Sequence, residues 1–191
     1  MIKTRFLMLG AAALCLASPI NAKAEGQAIS QDAASAFIES NVTSWLNDPV
    51  IVDGIKAQNE KHKSLSPDDV VALDKKWRAD DQELISATTE NALSNFLKAK
   101  LEESDGQFTE IFIMDDKGLN VGQSGLTSDY WQGDEAKWQE SFAKGANAIH
   151  VSDVEFDESS QTYQVQISTT ISDGETPIGA ITLGIDAETI E

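Results

Sequence analysis

The sequence predicts an α+β domain in which a helical first half packs on an antiparallel sheet formed by the second half. Apolar residues recur at helical spacing from Ile29 to about Leu101, and from Phe108 onward they alternate as in strands. Short turns separate the later strands, and turns of that length join antiparallel neighbours. We therefore expect a long N-terminal helix packed on a five-stranded antiparallel sheet.

The first helix is predicted to be long and to consist of two segments. The apolar positions from Ile29 to Leu46 follow a helical period. Asp48-Pro49 then supplies a capping carboxylate and a proline, which is well tolerated in the first turn of a helix. A second segment is expected from Val50 to about His62.

Two further helices complete the helical part of the chain. Ser66-Pro67-Asp68-Asp69 combines a hydroxyl cap, a first-turn proline and two acids, which is typical of a helix N-terminus. That helix is predicted to reach about Ala79. The next spans roughly Leu84 to Leu101 and ends at Ser104-Asp105-Gly106, because glycine is favoured just after a helix.

Five strands are predicted in the second half. The unbroken apolar run Ile111 to Met114 indicates a central strand covered on both faces, and a turn over residues 115–118 leads into a second strand. A helix over Glu135 to Lys144 precedes the last three strands. The predicted strands after the first are Leu119 to Gln123, Ile149 to Phe156, Thr162 to Ile171 and Ile178 to Ile185, with turns at 157–160 and 172–175.

The fourth strand has two different faces. Tyr163, Val165, Ile167 and Ile171 share one face by strand alternation. The other face carries only polar side chains, namely Gln164, Gln166, Ser168 and Thr170.

The N-terminus predicts export. Lys3 and Arg5 precede an apolar run from Phe6 to Ala17, and Ala22-Lys23-Ala24 fits the small-x-small rule for cleavage. The apolar run is well short of the roughly 20 residues that span a bilayer. We expect residues 1–24 to be a signal peptide and residues 25–191 to be one periplasmic or secreted domain, with helices over 28–104, a sheet over 108–186 and no membrane span.

The charge of the chain excludes several classes of partner. Loss of the leader removes three of the 14 cations and none of the 32 acids, so the mature formal charge becomes −21. Nucleic acids and anionic lipid surfaces require basic patches, so neither is expected as a partner. Cys15, the one cysteine, lies in the leader, so no disulfide can stabilise the mature domain.

The order of several motifs resembles a Cache domain, the PAS-like extracytoplasmic sensor module of bacterial receptors. The resemblance covers about Ile29 to Ile190 and rests on the strand and turn over 111–118, Ser124, Tyr130-Trp131, Trp138 and the strand Pro177 to Ile181. It implies a single Cache fold with a pocket between the sheet and the segment Ser124 to Ile149. Ligands of that family are small carboxylates, amino acids or related metabolites.

The aromatic residues of this segment suit a pocket. Tyr130, Trp131 and Trp138 offer flat apolar walls with a hydroxyl and two indole donors. The alternative for Trp138, which follows Trp131 by two helical turns, is packing in the core.

Charged residues supply a second set of candidates. Arg78 and Lys137 could each hold an anionic ligand group, and Asp129 could hold an amine. A solvated Arg78 on an acidic surface is the alternative. The segment Ser124 to Trp138 has no arginine for a ligand carboxylate, which departs from amino-acid-binding Cache domains.

Enzyme and metal sites find little support. Gly122 to Leu126 misses the second glycine of the G-x-S-x-G motif, and two histidines without a mature cysteine disfavour zinc. The alternating acids Asp153, Glu155 and Asp157 lack a calcium-binding loop and indicate a solvated edge. We expect no enzyme activity, no metal and no cofactor.

Two functional hypotheses remain. In the first, the protein is a periplasmic module that binds a small carboxylate, amine or amino acid by closing its aromatic loop. Because only five residues follow Asp186, a separate membrane receptor, kinase or transporter would have to read that closure. In the second, the pocket is filled by the protein's own side chains and the acidic surface serves interaction or structure.

Overall fold

The computed structural model describes residues 29–157 and 162–187. The predicted signal peptide, with Cys15, lies outside these residues, as do residues 158–160 of the predicted turn. The described part is an α+β fold in which helices pack on an antiparallel sheet, so the predicted fold class is confirmed.

Seven α-helices are present in the described residues, six of them before the sheet. They are α1 (Gln31–Asn41), α2 (Thr43–Leu46), α3 (Pro49–His62), α4 (Pro67–Arg78), α5 (Gln82–Thr89), α6 (Ala92–Glu103) and α7 (Ala136–Gln139). A 3-10 helix, Phe142–Lys144, follows α7.

Local caps set the helix ends. The side chain of Asp48 accepts a hydrogen bond from the N–H of Val50 at the start of α3, and Ser66 forms a capping box with Asp69 at the start of α4. The predicted single helix over 84–101 is instead two helices, because Asn91 interrupts it. The Asn91 side chain caps the N–H of Ser94 at 2.8 Å and donates to the carbonyl of Val121 at 2.8 Å, so it serves as a helix start.

The sheet has six strands where the sequence predicted five. They are β1 (Phe108–Met114), β2 (Asn120–Gln123), β3 (Ile149–Val151), β4 (Glu155–Asp157), β5 (Thr162–Asp173) and β6 (Thr176–Asp186). The order is β2-β1-β6-β5-β3, and β4 also pairs with β5. The predicted strand over 149–156 divides into β3 and β4, because residues 152–154 lie outside the ladder although Ser152 still bonds Gln166.

The two faces of the sheet differ in polarity, as the alternation in β5 predicted. On the first face, Ile111, Val165 and Ile181 belong to the main core, into which α1, α3 and α6 pack. Tyr163 does not join that core. It lies near the end of β5, 56% exposed, with its ring edge-on to Phe156.

The second face buries few apolar side chains. Phe112, Met114 and Ala180 form a small cluster there, covered by Trp138 and Phe142. The polar side chains of β5 that alternate with its core residues share this face.

The turn between β1 and β2 depends on a glycine. Gly118 has a φ of +80°, and a Cβ there would lie 2.4 Å from the Cα of Gly133. The carbonyl of Gly118 accepts a hydrogen bond from the N–H of Gln132 at 2.7 Å. The backbone of Gln132 and Gly133 therefore approaches this turn too closely for any side chain at position 118.

We predict that Gly118→Ala lowers the free energy of unfolding by about 3 kcal/mol or more, because it combines a left-handed backbone with a steric clash. Gly106→Ala is the matched control: its φ is +88°, and its Cβ would meet nothing within 4 Å. This control should cost only about 1 kcal/mol. If urea denaturation gave the same loss of unfolding free energy for both variants, the contact between the turn and Gly133 would have to be loose.

Candidate ligand-binding site

The segment over residues 124–145 covers the second face of the sheet. Its start is held by Ser124, whose hydroxyl accepts a hydrogen bond from the N–H of Ile111 at 2.8 Å. Its end is held by Gly145, whose carbonyl accepts from the hydroxyl of Thr170 at 2.8 Å. The covering segment is thus bound to strands β1 and β5.

One carboxylate joins the covering segment to helix α4. Asp74 accepts from the N–H groups of Tyr130 and Trp131 at 3.0 and 3.2 Å. Its other oxygen is 2.7 Å from Nε of Arg78, and a guanidinium nitrogen of Arg78 is 3.1 Å from Asp129. The structure therefore brings two predicted site residues together, but as an ion pair between a helix and the segment. Ligand contact by Arg78 and Asp129 stays a prediction.

Tyr130 lies in an apolar cluster between α4 and the β1–β2 turn. Its side chain is 2% exposed, and its ring stacks on Trp77 with centroids 5.4 Å apart. Burial, with a smaller contribution from the charge of Asp115, raises the pKa of the Tyr130 phenol. The phenol is therefore neutral across the physiological range, and its role as a pocket wall stays a prediction.

Both tryptophans of the segment are bound to the β1–β2 turn. The indole N–H of Trp131 donates to the carbonyl of Lys117 at 2.9 Å, and that of Trp138 donates to the carbonyl of Asp115 at 3.2 Å. Trp138 also packs on Phe142 with centroids 5.2 Å apart. Trp138 is thus partly buried against the small cluster on the second face, and its contact with a ligand stays a prediction.

A cavity of about 290 Å³ lies between α7 and the strands β3 to β5. Its walls combine charged, amide and hydroxyl groups with one exposed aromatic ring, and its lining residues are Glu135, Ala136, Lys137, His150, Ser152, Glu155, Phe156, Gln164 and Gln166. The volume corresponds to roughly ten water molecules, which suits a small metabolite.

Lys137 brings a cation to this cavity. Its side chain is only 16% exposed. The ammonium lies 2.9 Å from Glu135, 3.3 Å from the amide oxygen of Gln132 and 5.5 Å from the ring centre of Phe112. Lys137 is thus partly enclosed between the covering segment and Phe112 of β1, and its contact with a ligand stays a prediction.

The amides of Gln164 and Gln166 form the floor of the cavity. One carboxylate oxygen of Glu110 accepts from the amide nitrogens of Gln164 and Gln166 at 2.9 and 2.8 Å, which orients both amides. Ser168 and Thr182 share a buried hydrogen bond of 2.9 Å on the same face. The floor is preorganised for polar contacts.

Sequence reasoning missed the part of this site contributed by the strands. His150 and Ser152 were not candidates, and Gln164 and Gln166 were recognised only as one face of a strand. The usable indication was the row of polar residues in a strand whose other face is core. The sequence did not show which segment of the chain covers that face.

Two of the residues considered for catalysis or metal binding, Ser124 and His62, have structural partners. Ser124 holds β1, and Nδ1 of His62 lies 2.9 Å from the buried carboxylate of Asp115. Within residues 29–157 and 162–187, no group of three or more His, Cys, Asp or Glu side chains is placed to hold a metal ion. In the same ranges, every helix is too short or too polar to cross a membrane.

No family model matches the sequence, and no curated protein does either. Among solved structures, the chain resembles the ligand-binding domain of the Campylobacter jejuni chemoreceptor Tlp3 in complex with L-valine, with 16% identity and a TM-score of 0.40 over 85% of this chain and 66% of that one. It also resembles the ligand-binding domain of the Pseudomonas fluorescens chemoreceptor CtaA in complex with L-alanine, with 13% identity and a TM-score of 0.40 over 76% and 60%. The chain spans less than two thirds of the length of either.

We predict that Asp74→Ala destabilises the protein by about 2–3 kcal/mol, because it leaves two backbone N–H groups of the covering segment unpaired. Arg78→Ala should cost less than about 1 kcal/mol, since the Arg78 side chain is 54% exposed and solvent screens its ion pairs. Both values can be read from urea denaturation. A larger loss for Arg78→Ala than for Asp74→Ala would contradict the role given to Asp74.

The pKa of His150 is expected below its usual value near 6.5, chiefly because burial disfavours the imidazolium. Nearby Glu140 raises this pKa and Lys137 lowers it, both to a smaller extent. Between the folded and unfolded pKa values the unfolded chain binds more protons, so stability falls as pH drops through that window. An NMR titration should give a midpoint below 6.5, and His150→Gln should flatten the pH–stability curve there. A midpoint above 6.5 would contradict the prediction.

Proposed function

We propose that this protein is a periplasmic or secreted sensor module of the Cache type that binds a small carboxylate, amine or amino acid between its covering segment and the second face of the sheet. A separate membrane receptor, kinase or transporter reads the bound state. The observation that carries the proposal is a largely buried lysine ammonium above a floor of oriented amides.

The polarity of the second face supports ligand binding. A sheet face covered by protein normally buries apolar side chains, as the first face does here. On the second face, Gln164 and Gln166 line the cavity together with α7 instead, and Glu110 accepts a hydrogen bond from each of their amides. Polar groups in such a position contribute little to folding, but they can recognise a polar ligand.

The ion pair of Lys137 suggests how an anion enters. Its partner Glu135 has a side chain 37% exposed, whereas Lys137 is 16% exposed. A ligand carboxylate can replace Glu135 at the ammonium, while Glu135 turns to solvent. The charge on Lys137 then stays paired in both states, which avoids leaving a buried cation alone.

The contacts of the segment indicate which part moves. Trp131 and Gly133 are packed against the β1–β2 turn, so this end is anchored. At the other end, Gly145 has a φ of +98° and open space around its Cα. We propose that α7 and the following 3-10 helix shift together on ligand binding, and that Trp138 of α7 releases the carbonyl of Asp115 as they move.

The second hypothesis, a ligand-free interaction or structural domain, also has one observation in its favour. Lys137, Arg78 and Asp129 all have partners within the protein. A domain whose pocket is closed by its own ion pairs would show this arrangement. Ligand screening separates the two hypotheses.

We predict that a thermal-shift screen of small carboxylates, amines and amino acids finds ligands that raise the melting temperature, since about 2.7 kcal/mol of stabilisation accompanies a hundredfold excess over Kd. Lys137→Met should weaken binding of the anionic hits at least about tenfold by removing the ammonium. Lys144→Met is the matched control, because Lys144 lies in the same segment, 56% exposed and paired with Glu140. It should bind like the unmodified protein.

Two outcomes would decide against this proposal. A broad panel that produces no shift at all would favour the ligand-free interaction domain. Hits whose affinity is equally reduced in both lysine variants would show a general effect of charge instead of a site at Lys137.

A further inference from the structure

Strand β4 forms a free edge of the sheet. Within the described residues it pairs with β5 and with no other strand, on the side of β5 that also carries β3, while β6 occupies the opposite side. An edge strand presents a row of backbone N–H and C=O groups that no neighbouring strand satisfies. Such a row is a template on which another extended chain can pair.

A pair of exposed aromatic rings lies at this edge. Phe156 of β4 and Tyr163 of β5 are cross-strand partners, 49% and 56% exposed. Their rings meet edge-on with centroids 5.4 Å apart. Single apolar residues on a surface need no explanation, but aromatic side chains are enriched at protein interfaces. The contact between the two rings also holds Phe156 in place beside the free edge.

The surroundings of the edge are acidic. The sequence after Lys144 contains nine acids and no lysine or arginine. Glu155, next to Phe156 in β4, is exposed and forms no ion pair with any described residue. Strand alternation places Glu155 on the second face with its cross-strand partner Gln164, and Phe156 on the first. The edge therefore offers an unpaired acid on one face and an aromatic ring on the other.

A second copy of this chain is a poor occupant of the edge. Acids stand at positions 153, 155 and 157 of the sequence. Antiparallel pairing of two copies about Phe156 would set Glu155 opposite position 157 of the other copy, and like charges directly opposite are destabilising. The formal charge of −18 per chain adds repulsion at longer range. The edge is thus protected against self-association but accepts a cationic strand.

We propose that β4 docks an extended basic segment of a partner protein as an additional strand, with cationic and apolar side chains alternating along that segment. A lysine or arginine of the segment lies opposite Glu155, and an apolar side chain packs on the exposed side of the Phe156 ring. Opposite charges and aromatic–aliphatic contacts are favourable cross-strand pairs. This inference goes beyond the proposed function, since the edge docks its partner whether or not the cavity holds a ligand.

A synthetic peptide of alternating lysine and valine tests the docking on the full mature chain, with titration calorimetry in about 0.15 M salt to screen distant charges. Two matched peptides carry N-methyl groups on every valine or on every lysine and keep the same charge. Alternate N–H groups of a strand point to opposite sides, so only one of the two sets faces β4. We expect one methylated peptide to lose at least about tenfold in affinity and the other to bind like the parent.

Charge reversal on β4 provides the second arm. Glu155→Lys should weaken binding of the lysine–valine peptide about fivefold and strengthen binding of a glutamate–valine peptide, because it reverses the cross-strand charge pair. Glu175→Lys, at an exposed position in the β5–β6 turn, changes the net charge equally and should alter the affinity by less than about twofold. Phe156→Ser should weaken the lysine–valine peptide about fivefold by removing the aromatic contact.

Every outcome bears on the inference. Equal binding by both methylated peptides, or equal losses in Glu155→Lys and Glu175→Lys, would show attraction to the whole acidic surface and overturn it. Failure of the parent peptide to bind at millimolar concentration also overturns it. So does a dimer in analytical ultracentrifugation that Phe156→Ser dissociates, which would make a second copy the occupant. If a variant does not fold, the methylated peptides decide on the unmodified protein. None of these results depends on a small ligand, so the proposed function stands or fails separately.

Discussion

The buried carboxylate of Asp115 is the interaction on which the rest of the structure depends. Its side chain is fully buried, with one oxygen accepting from the N–H groups of Lys117 and Leu119 at 2.9 Å. The other oxygen contacts Gln58 and His62 of α3 at 3.0 and 2.9 Å. This carboxylate thus joins the first helical layer to the β1–β2 turn. The same turn supplies the carbonyls that hold both tryptophans of the covering segment.

The polar second face can exist because the covering segment is held mainly at its edges. Asp74 fixes it to α4, and the β1–β2 turn fixes it beside the sheet. In between, only a small cluster around Phe112 joins the segment to the sheet by apolar contact. Folding therefore does not require hydrophobic side chains across the whole face. The remaining area is available for charged and amide groups, which is the property that the proposed sensor function uses.

The scarcity of cations gives Lys137 its significance. With 14 basic against 32 acidic residues, most cations on this surface find a carboxylate nearby, and Arg78 contacts two. Arg78 and Lys137 perform different tasks because their side chains differ in exposure. Solvent screens the half-exposed Arg78, whereas the ammonium of Lys137 lies in a less polar setting beside Phe112, where a charge interacts more strongly with a ligand.

By itself, the sequence determined the fold class, most helix starts and the two-faced character of β5. Caps such as Ser66 and the alternation of side chains depend on residues close in the chain, so local rules suffice for them. Lys137 and Trp138 could also be placed on the segment over the sheet. Only the tertiary structure decided that Asn91 divides a helix by reaching β2, that Arg78 meets Asp129 and that Glu110 orients the amides of β5. These contacts join residues far apart in the chain, so they follow from how the layers pack and leave no periodic trace in the sequence.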